Sequence, residues 1–243
     1  MIKKKLKLDF YTIHSNIIEQ LPIKIKSNPP TWWKELKSAI FTWHPRLGLS
    51  VPSPTAKCCP GIGEYITEAI QLKLPSDAIF KISIDGQVDM ITPDMFGHMD
   101  VAERLHGSQH HRTQFGNLYP NRAVYKLHSP WICKSNRRAN FMMTECHYTE
   151  DLRKHDILVA PGIINFYDQH SINMFLVFPI KDKEYTVKLK HGTPIASLYA
   201  MHEEKMDIKM HRVNIETWKT IVSKQIPSVF FRKYYAGKNT RRK

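Results

Sequence analysis

The chain has 243 residues, 42% hydrophobic and 24% charged, with a formal net charge of +14. This length fits one large domain, or one domain with arms, and the apolar share excludes a chain too polar to bury a core. No run approaches the ~18 consecutive apolar residues of a transmembrane helix, so no membrane association is expected.

Residues 1–30 read as an extended arm with alternating apolar positions, ending at Ser27-Asn-Pro-Pro30. Its basic start, Met1-Ile-Lys-Lys-Lys-Leu-Lys-Leu-Asp9, lacks the apolar stretch and small-residue cleavage site of a secretory signal. Residues 31–40 read as a short helix opened by Pro30 and Thr31, with Trp33, Leu36 and Ile40 on one side. Four prolines between 41 and 60 predict an irregular connector. A turn and brief helix-like segment follow over 60–70. The period then changes to two, with Leu72, Leu74 and Ile79-Phe-Lys-Ile-Ser-Ile84 closed by Asp85-Gly86, a strong hairpin signal.

Residues 93–122 are polar and His-rich and read as a long loop. Short strands are expected at 123–127, 131–133 and 139–144. Residues 161–201 read as turn, strand, turn, strand and a final strand, a hairpin-rich pattern. A helix is expected from Asn214 to Gln225, with Ile215, Trp218, Ile221 and Val222 on one stripe. The fold class expected is therefore mainly β, a single β-clip or jelly-roll-like domain. It carries an N-terminal arm, short helix and Pro-rich connector (1–59), a β domain (60–205), and a C-terminal helix with a basic tail (206–243).

The charge is segregated. Residues 219–243 hold eight bases and no acid, and residues 1–10 hold four lysines and one acid, leaving 24 bases against 21 acids between 11 and 218. Basic ends of this kind bind polyanions through Coulomb attraction and counterion release, or are simply solvated termini. The candidate binding residues are Lys3, Lys4, Lys5, Arg232, Lys233, Lys238, Arg241, Arg242 and Lys243. The aromatic stretch Phe230-Phe-Arg-Lys-Tyr-Tyr235 suits packing on the body or a neighbouring subunit, or base stacking.

Other chemistry is thinly signalled. His98-Met-Asp100 has the His-x-Asp spacing of a non-haem iron facial triad, for which His170 or His191 is the candidate third ligand. Thirteen histidines make such matches frequent by chance. No nucleophile elbow, phosphate loop or dinucleotide-binding glycine pattern occurs. Cys58, Cys59, Cys133 and Cys146 have neither disulfide-framework nor zinc-knuckle spacing and read as free thiols. The cofactor is left open.

Residues 161–201 resemble the second half of a dUTPase-type β-clip domain. Gly162-Ile-Ile-Asn165 stands at the turn that bears that family's catalytic aspartate, and Gly192-Thr-Pro-Ile-Ala-Ser-Leu198 at its later strand. Over roughly 30–201 the chain is similar to a group of uncharacterised bacteriophage proteins. The shared marks are Pro30-Thr-Trp-Trp-Lys34, Cys59-Pro-Gly-Ile62, Leu74-Pro-Ser-Asp77, Ser129-Pro-Trp-Ile-Cys-Lys134, Pro161-Gly-Ile163 and Gly192-Thr-Pro-Ile-Ala196.

The resemblance implies a homo-oligomer, since clip domains of this type commonly share strands and tails. It also implies that the hydrolase chemistry is altered, because the amide of Asn165 cannot act as a base near neutral pH. Two expectations follow. One is a non-enzymatic phage or viral structural or interaction protein, in the host cytoplasm or virion, whose basic termini contact a neighbouring subunit, virion proteins or nucleic acid. The other is an enzyme: either a nucleotide-processing clip enzyme using a rearranged acid, for which Asp168 is the candidate, or a non-haem iron oxygenase using His98 and Asp100.

Overall fold

Leu6, Leu8 and Phe10 alternate with Lys7, Asp9 and Tyr11, and a period of two puts the apolar three on one face of a strand. In the computed structural model of the chain they do form a strand, and all three are fully buried. The structure describes residues 5–14, 23–27, 29–92, 107–110, 115, 118–202 and 205–223.

In chain order the first strands are β1 (Leu6–Thr12), β2 (Ile23–Lys24), β3 (Ala39–His44), β4 (Leu49–Pro54), β5 (Ile70–Lys73), β6 (Ala78–Ile82), β7 (Val88–Ile91) and β8 (Gly107–His110). Then come β9 (Arg122–Ser135), β10 (Asn140–Glu145), β11 (Leu158–Val159), β12 (Gly162–Asn165), β13 (Ser171–Pro179), β14 (Tyr185–Leu189), β15 (Pro194–Ala200) and β16 (Met206–Arg212). The helices are α1 (Thr31–Glu35), α2 (Pro60–Glu68) and α3 (Ile215–Ser223).

The architecture is mainly β. One sheet runs β11-β13-β9-β1-β16, with β8 also on β9; a second runs β12-β10-β15-β5-β2; a third is β14-β6-β7. All three sheets supply side chains to one apolar cluster, including Phe10, Phe80, Phe141, Phe178 and Leu198. The turn at Asp85-Gly86 joins β6 to β7 as its sequence predicts, with Gly86 at φ 85.

Several elements differ from the sequence expectation, each for a physical reason. The N-terminal segment is extended, but β1 is an inner strand between β9 and β16, not a free arm. Its partner β16 runs parallel to it, so the β domain takes in residues 6–12 and 206–212 as well as 60–205.

The helix over 31–40 stops at Glu35, because the β-branched and aromatic run Ile40-Phe-Thr-Trp43 favours extended backbone. That run and the Pro-rich connector pair as the hairpin β3–β4. The strands foreseen at 123–127 and 131–133 are one 14-residue strand, β9. Pro130 fits it because β8 pairs with β9 at 124–127 and β1 at 132–135, leaving the gap between them at the proline. Within 161–201 no strand pairs with its sequence neighbour: β13 joins β9, β14 joins β6 and β15 joins β10 and β5, so the pattern is long-range and not hairpin-rich. The 93–122 segment contains β8, where Gly107 leaves room for the tip of the Tyr125 ring.

A candidate polyanion-binding groove

Three turns meet beside the junction of β1 and β9. Residues 135–140 link β9 to β10, residues 165–170 link β12 to β13, and Met201 and His202 follow β15. Each is fixed by the backbone: Asn140 pairs with Asn165 in register, and the Met201 amide donates to the Asn140 carbonyl at 3.0 Å. Arg137, Arg138, Ala139, Asn140, Asn165, Met201 and His202 line an open cavity of about 400 Å³. Arg138 also borders a second, of about 620 Å³, with Lys134, Ser135, Asn136, Tyr167, Asp168 and His170. The two share Arg138 and are together called the groove; the formal cations lining them are Lys134, Arg137 and Arg138.

The groove's ionisable groups are held in defined states. Asp168 is only 6% exposed and accepts a hydrogen bond at 3.1 Å from Arg138, whose guanidinium also lies over the exposed Tyr167 ring. Burial pushes His170 below the usual imidazole range, and its Nδ1 lies 3.2 Å from the Ile221 carbonyl. Burial also lowers His202, helped by the charge of Arg137. The groove's positive charge near neutral pH therefore comes from lysine and arginine, not histidine.

The first and last described segments of the chain both touch this groove. The Lys7 amide donates to Asn136 Oδ1 at 3.0 Å, and the Leu6 amide to the Lys205 carbonyl at 3.2 Å. At the other end, Ile221 of α3 reaches His170, and α3 ends two residues later. The helix is opened by Asn214, whose Oδ1 accepts from the Thr217 amide at 2.8 Å.

Of the sequence candidates, Lys5 is exposed immediately before β1. Lys3, Lys4, Arg232, Lys233, Lys238, Arg241, Arg242 and Lys243 lie outside the described residues, as do His98 and Asp100. His170 and His191 stand in different turns: His170 is buried before β13, while His191 is exposed and its amide donates to Asp77 Oδ1 at 2.8 Å. Among the described residues no three His, Cys, Asp or Glu side chains are grouped to hold a metal.

Asn165 bonds both its own turn and the neighbouring strand β10. Its Oδ1 accepts from the Tyr167 amide at 3.1 Å and its Nδ2 donates to Asn140 Oδ1 at 3.3 Å. Cys133 and Cys146 are buried, and burial pushes the Cys146 thiol up to about 12, with Ser197 Oγ 3.4 Å away. Such a thiol is no nucleophile at neutral pH. Sequence reading missed Lys134, Arg137 and Arg138. The adjacent arginines were the signal available, and only the fold brings them to Tyr167 and the chain ends.

No protein-family model matches the chain, and a search of curated proteins finds no match. Among the described residues no helix is long and apolar enough to cross a membrane.

Proposed function

We propose that this chain is a non-catalytic interaction protein, of the phage or viral structural kind its sequence resembles, which holds a polyanion in the Arg137–Arg138 groove. The observation that carries this is convergence: the first and last described segments both run to a groove that already holds three cations. Tail and groove charges then act on one strand of phosphates, and counterion release adds over all of them. The exposed ring of Tyr167 beside Arg138 suits single-stranded nucleic acid, whose bases stack on such platforms. Asp168 is paired with Arg138, and Asn165 with Tyr167 and Asn140, which favours binding over hydrolysis.

The scaffold fits a β-clip or jelly-roll-like arrangement, since successive strands β13, β14 and β15 pass to three different sheets. The protein works in the host cytoplasm or the virion, and as an oligomer.

The test is fluorescence anisotropy with a labelled single-stranded oligonucleotide across a salt series. Three groove cations give a slope of log K against log salt of about −2, and the basic tail steepens it. Lys134→Glu with Arg137→Glu, which leaves the Arg138–Asp168 pair intact, weakens binding at least about tenfold. Removing residues 226–243 lowers the slope. No binding at low salt, or binding indifferent to groove charge reversal, overturns the proposal.

A second reading is favoured by the place of Asp168 in a basic cavity: a nucleotide-processing enzyme with a rearranged acid. Turnover of nucleoside triphosphates by the parent and its loss in Asp168→Asn would establish it, and no turnover in the parent ends it.

A further inference from the structure

The most exposed apolar surface among the described residues lies on one element, the β3–β4 ribbon. Phe41 is 77% exposed and Trp43 64%, and Ile40, Leu47 and Leu49 are exposed as well. Register places Phe41, Trp43 and Pro52 with Ser50 on one face, and Ile40, Val51 and Leu49 with Thr42, His44 and Ser53 on the other, so both faces carry apolar side chains. No third strand joins the ribbon among the described residues. A lone two-stranded hairpin is marginal in water, and an apolar patch of this extent marks an interaction surface.

The ribbon's root, by contrast, is held firmly. Thr55 Oγ1 donates to the Lys37 carbonyl at 2.6 Å, the Thr55 amide to the Ser38 carbonyl at 3.0 Å, and Lys57 Nζ to the Leu36 carbonyl at 2.9 Å. On one side of this root Trp32 of α1 donates from Nε1 to the Tyr148 carbonyl at 2.9 Å. On the other, α2 stacks Tyr65 on Tyr199. A fixed root and a bare apolar blade describe an arm aimed outward.

We infer that this ribbon is an arm exchanged between two copies of the chain, seated on the open β10–β12 edge of the second copy's sheet. The chain carries its own complement there. Ile163, Met142 and Tyr199 form one row across β12, β10 and β15. Tyr65 covers Tyr199, but Met142 and Ile163 are exposed, Ile163 at 65%. The rim beside them is Asn140 and Asn165, which also border the cavity of Arg137 and Arg138.

The edges match too. Among the described residues β12 ends its sheet and pairs on one side only, and β3 has no proline to blunt its outer edge. Between residues 39 and 54 the arm has one formal charge, Arg46, and no acid, which suits an apolar seat.

Area points the same way. The five exposed apolar side chains present on the order of 500 Å². Reciprocal exchange buries two arms and two seats, on the order of 1,200 Å², the lower end of a specific protein interface. A small ligand needs far less.

The experiment is sedimentation velocity on the full chain at micromolar concentration with three variants: Phe41→Ser/Trp43→Ser, which spoils the arm; Met142→Glu/Ile163→Glu, which spoils the seat; and Trp43→Ser alone. The parent sediments as a dimer or larger closed assembly. Each double variant weakens association about a hundredfold or more. Mixing them restores part of the dimer, because the intact arm of one meets the intact seat of the other. Trp43→Ser changes only an exposed side chain, and it loosens the dimer even if a double variant fails to fold.

A monomeric parent overturns the inference, as does an arm variant that stays dimeric or a folded pair that fails to complement. This inference does not rest on polyanion binding: the Lys134→Glu/Arg137→Glu protein keeps the parent's mass, so failure of one reading leaves the other standing.

Discussion

Replacing Phe10 by alanine tests whether β1 belongs to the core. Phe10 is fully buried, with its ring edge-on to Trp131 and angled to Phe166, each 6.4 Å away between centroids. Truncation removes the whole phenyl ring from a site walled by other rings and by rigid strands, so the gap cannot collapse. Phe→Ala at such a position costs about 3–5 kcal/mol. That is a large part of the roughly 5–15 kcal/mol that holds a domain folded.

At about 2–4 °C per kcal/mol for a domain of this size, Tm falls by roughly 6–20 °C. Scanning calorimetry, with a urea titration alongside, measures both quantities. Phe41→Ala is the control, because its exposed ring contributes within about 0.5 kcal/mol to the monomer's stability. It is read at a dilution that separates any dimer. A Phe10→Ala protein that melts within about 3 °C of the parent would falsify the placement of β1 as an inner strand.

Two further outcomes follow from the ionisable groups. Ellman's reagent titrates two thiols of the native protein quickly, Cys58 and Cys59, because they are exposed while burial raises the pKa of Cys133 and Cys146. The other two react once urea is added, and four equally fast thiols would contradict the packing of β9 and β10. Stability falls as pH drops below about 6.5, the ordinary imidazole value, because His170 has a depressed pKa when folded and the unfolded chain binds its proton more readily. Above that value the contribution is complete and flat. His170→Gln makes Tm less dependent on pH between 5 and 7, and an unchanged dependence would place the titration elsewhere.

Much of the fold is legible in local pattern. Tyr185-Thr-Val-Lys-Leu189 alternates cleanly and is β14 residue for residue, and the apolar stripe of 215–222 is α3. Asp85-Gly86 announces its own turn, since a glycine at positive φ is required there. What local pattern cannot carry is partnership. Leu6, Leu8 and Phe10 alternate as any strand would, and nothing near them names β16, two hundred residues on. The β3–β4 hairpin is hidden by Pro45, Pro52 and Pro54, which are compatible with a ribbon whose outer edges have no partner strand among the described residues but read locally as irregular chain. The groove is harder still. Lys134, Arg137 and Arg138 are ordinary surface residues in sequence, and they acquire meaning from turns that arrive from three distant strands.

The parallel pairing of β1 with β16 also sets an order of events during synthesis. Leu6 lies opposite Met206 and Thr12 opposite Arg212, so β1 waits for almost the whole chain before its second edge is closed. Until then β9 alone holds it, and β9 itself is made more than a hundred residues later. Contacts of this separation fold slowly, because the loop must close before any pairing rewards it. Throughout that interval Leu6, Leu8 and Phe10 are an open apolar strand on a nascent chain, the kind of surface that chaperones hold and that crowded ribosomes aggregate.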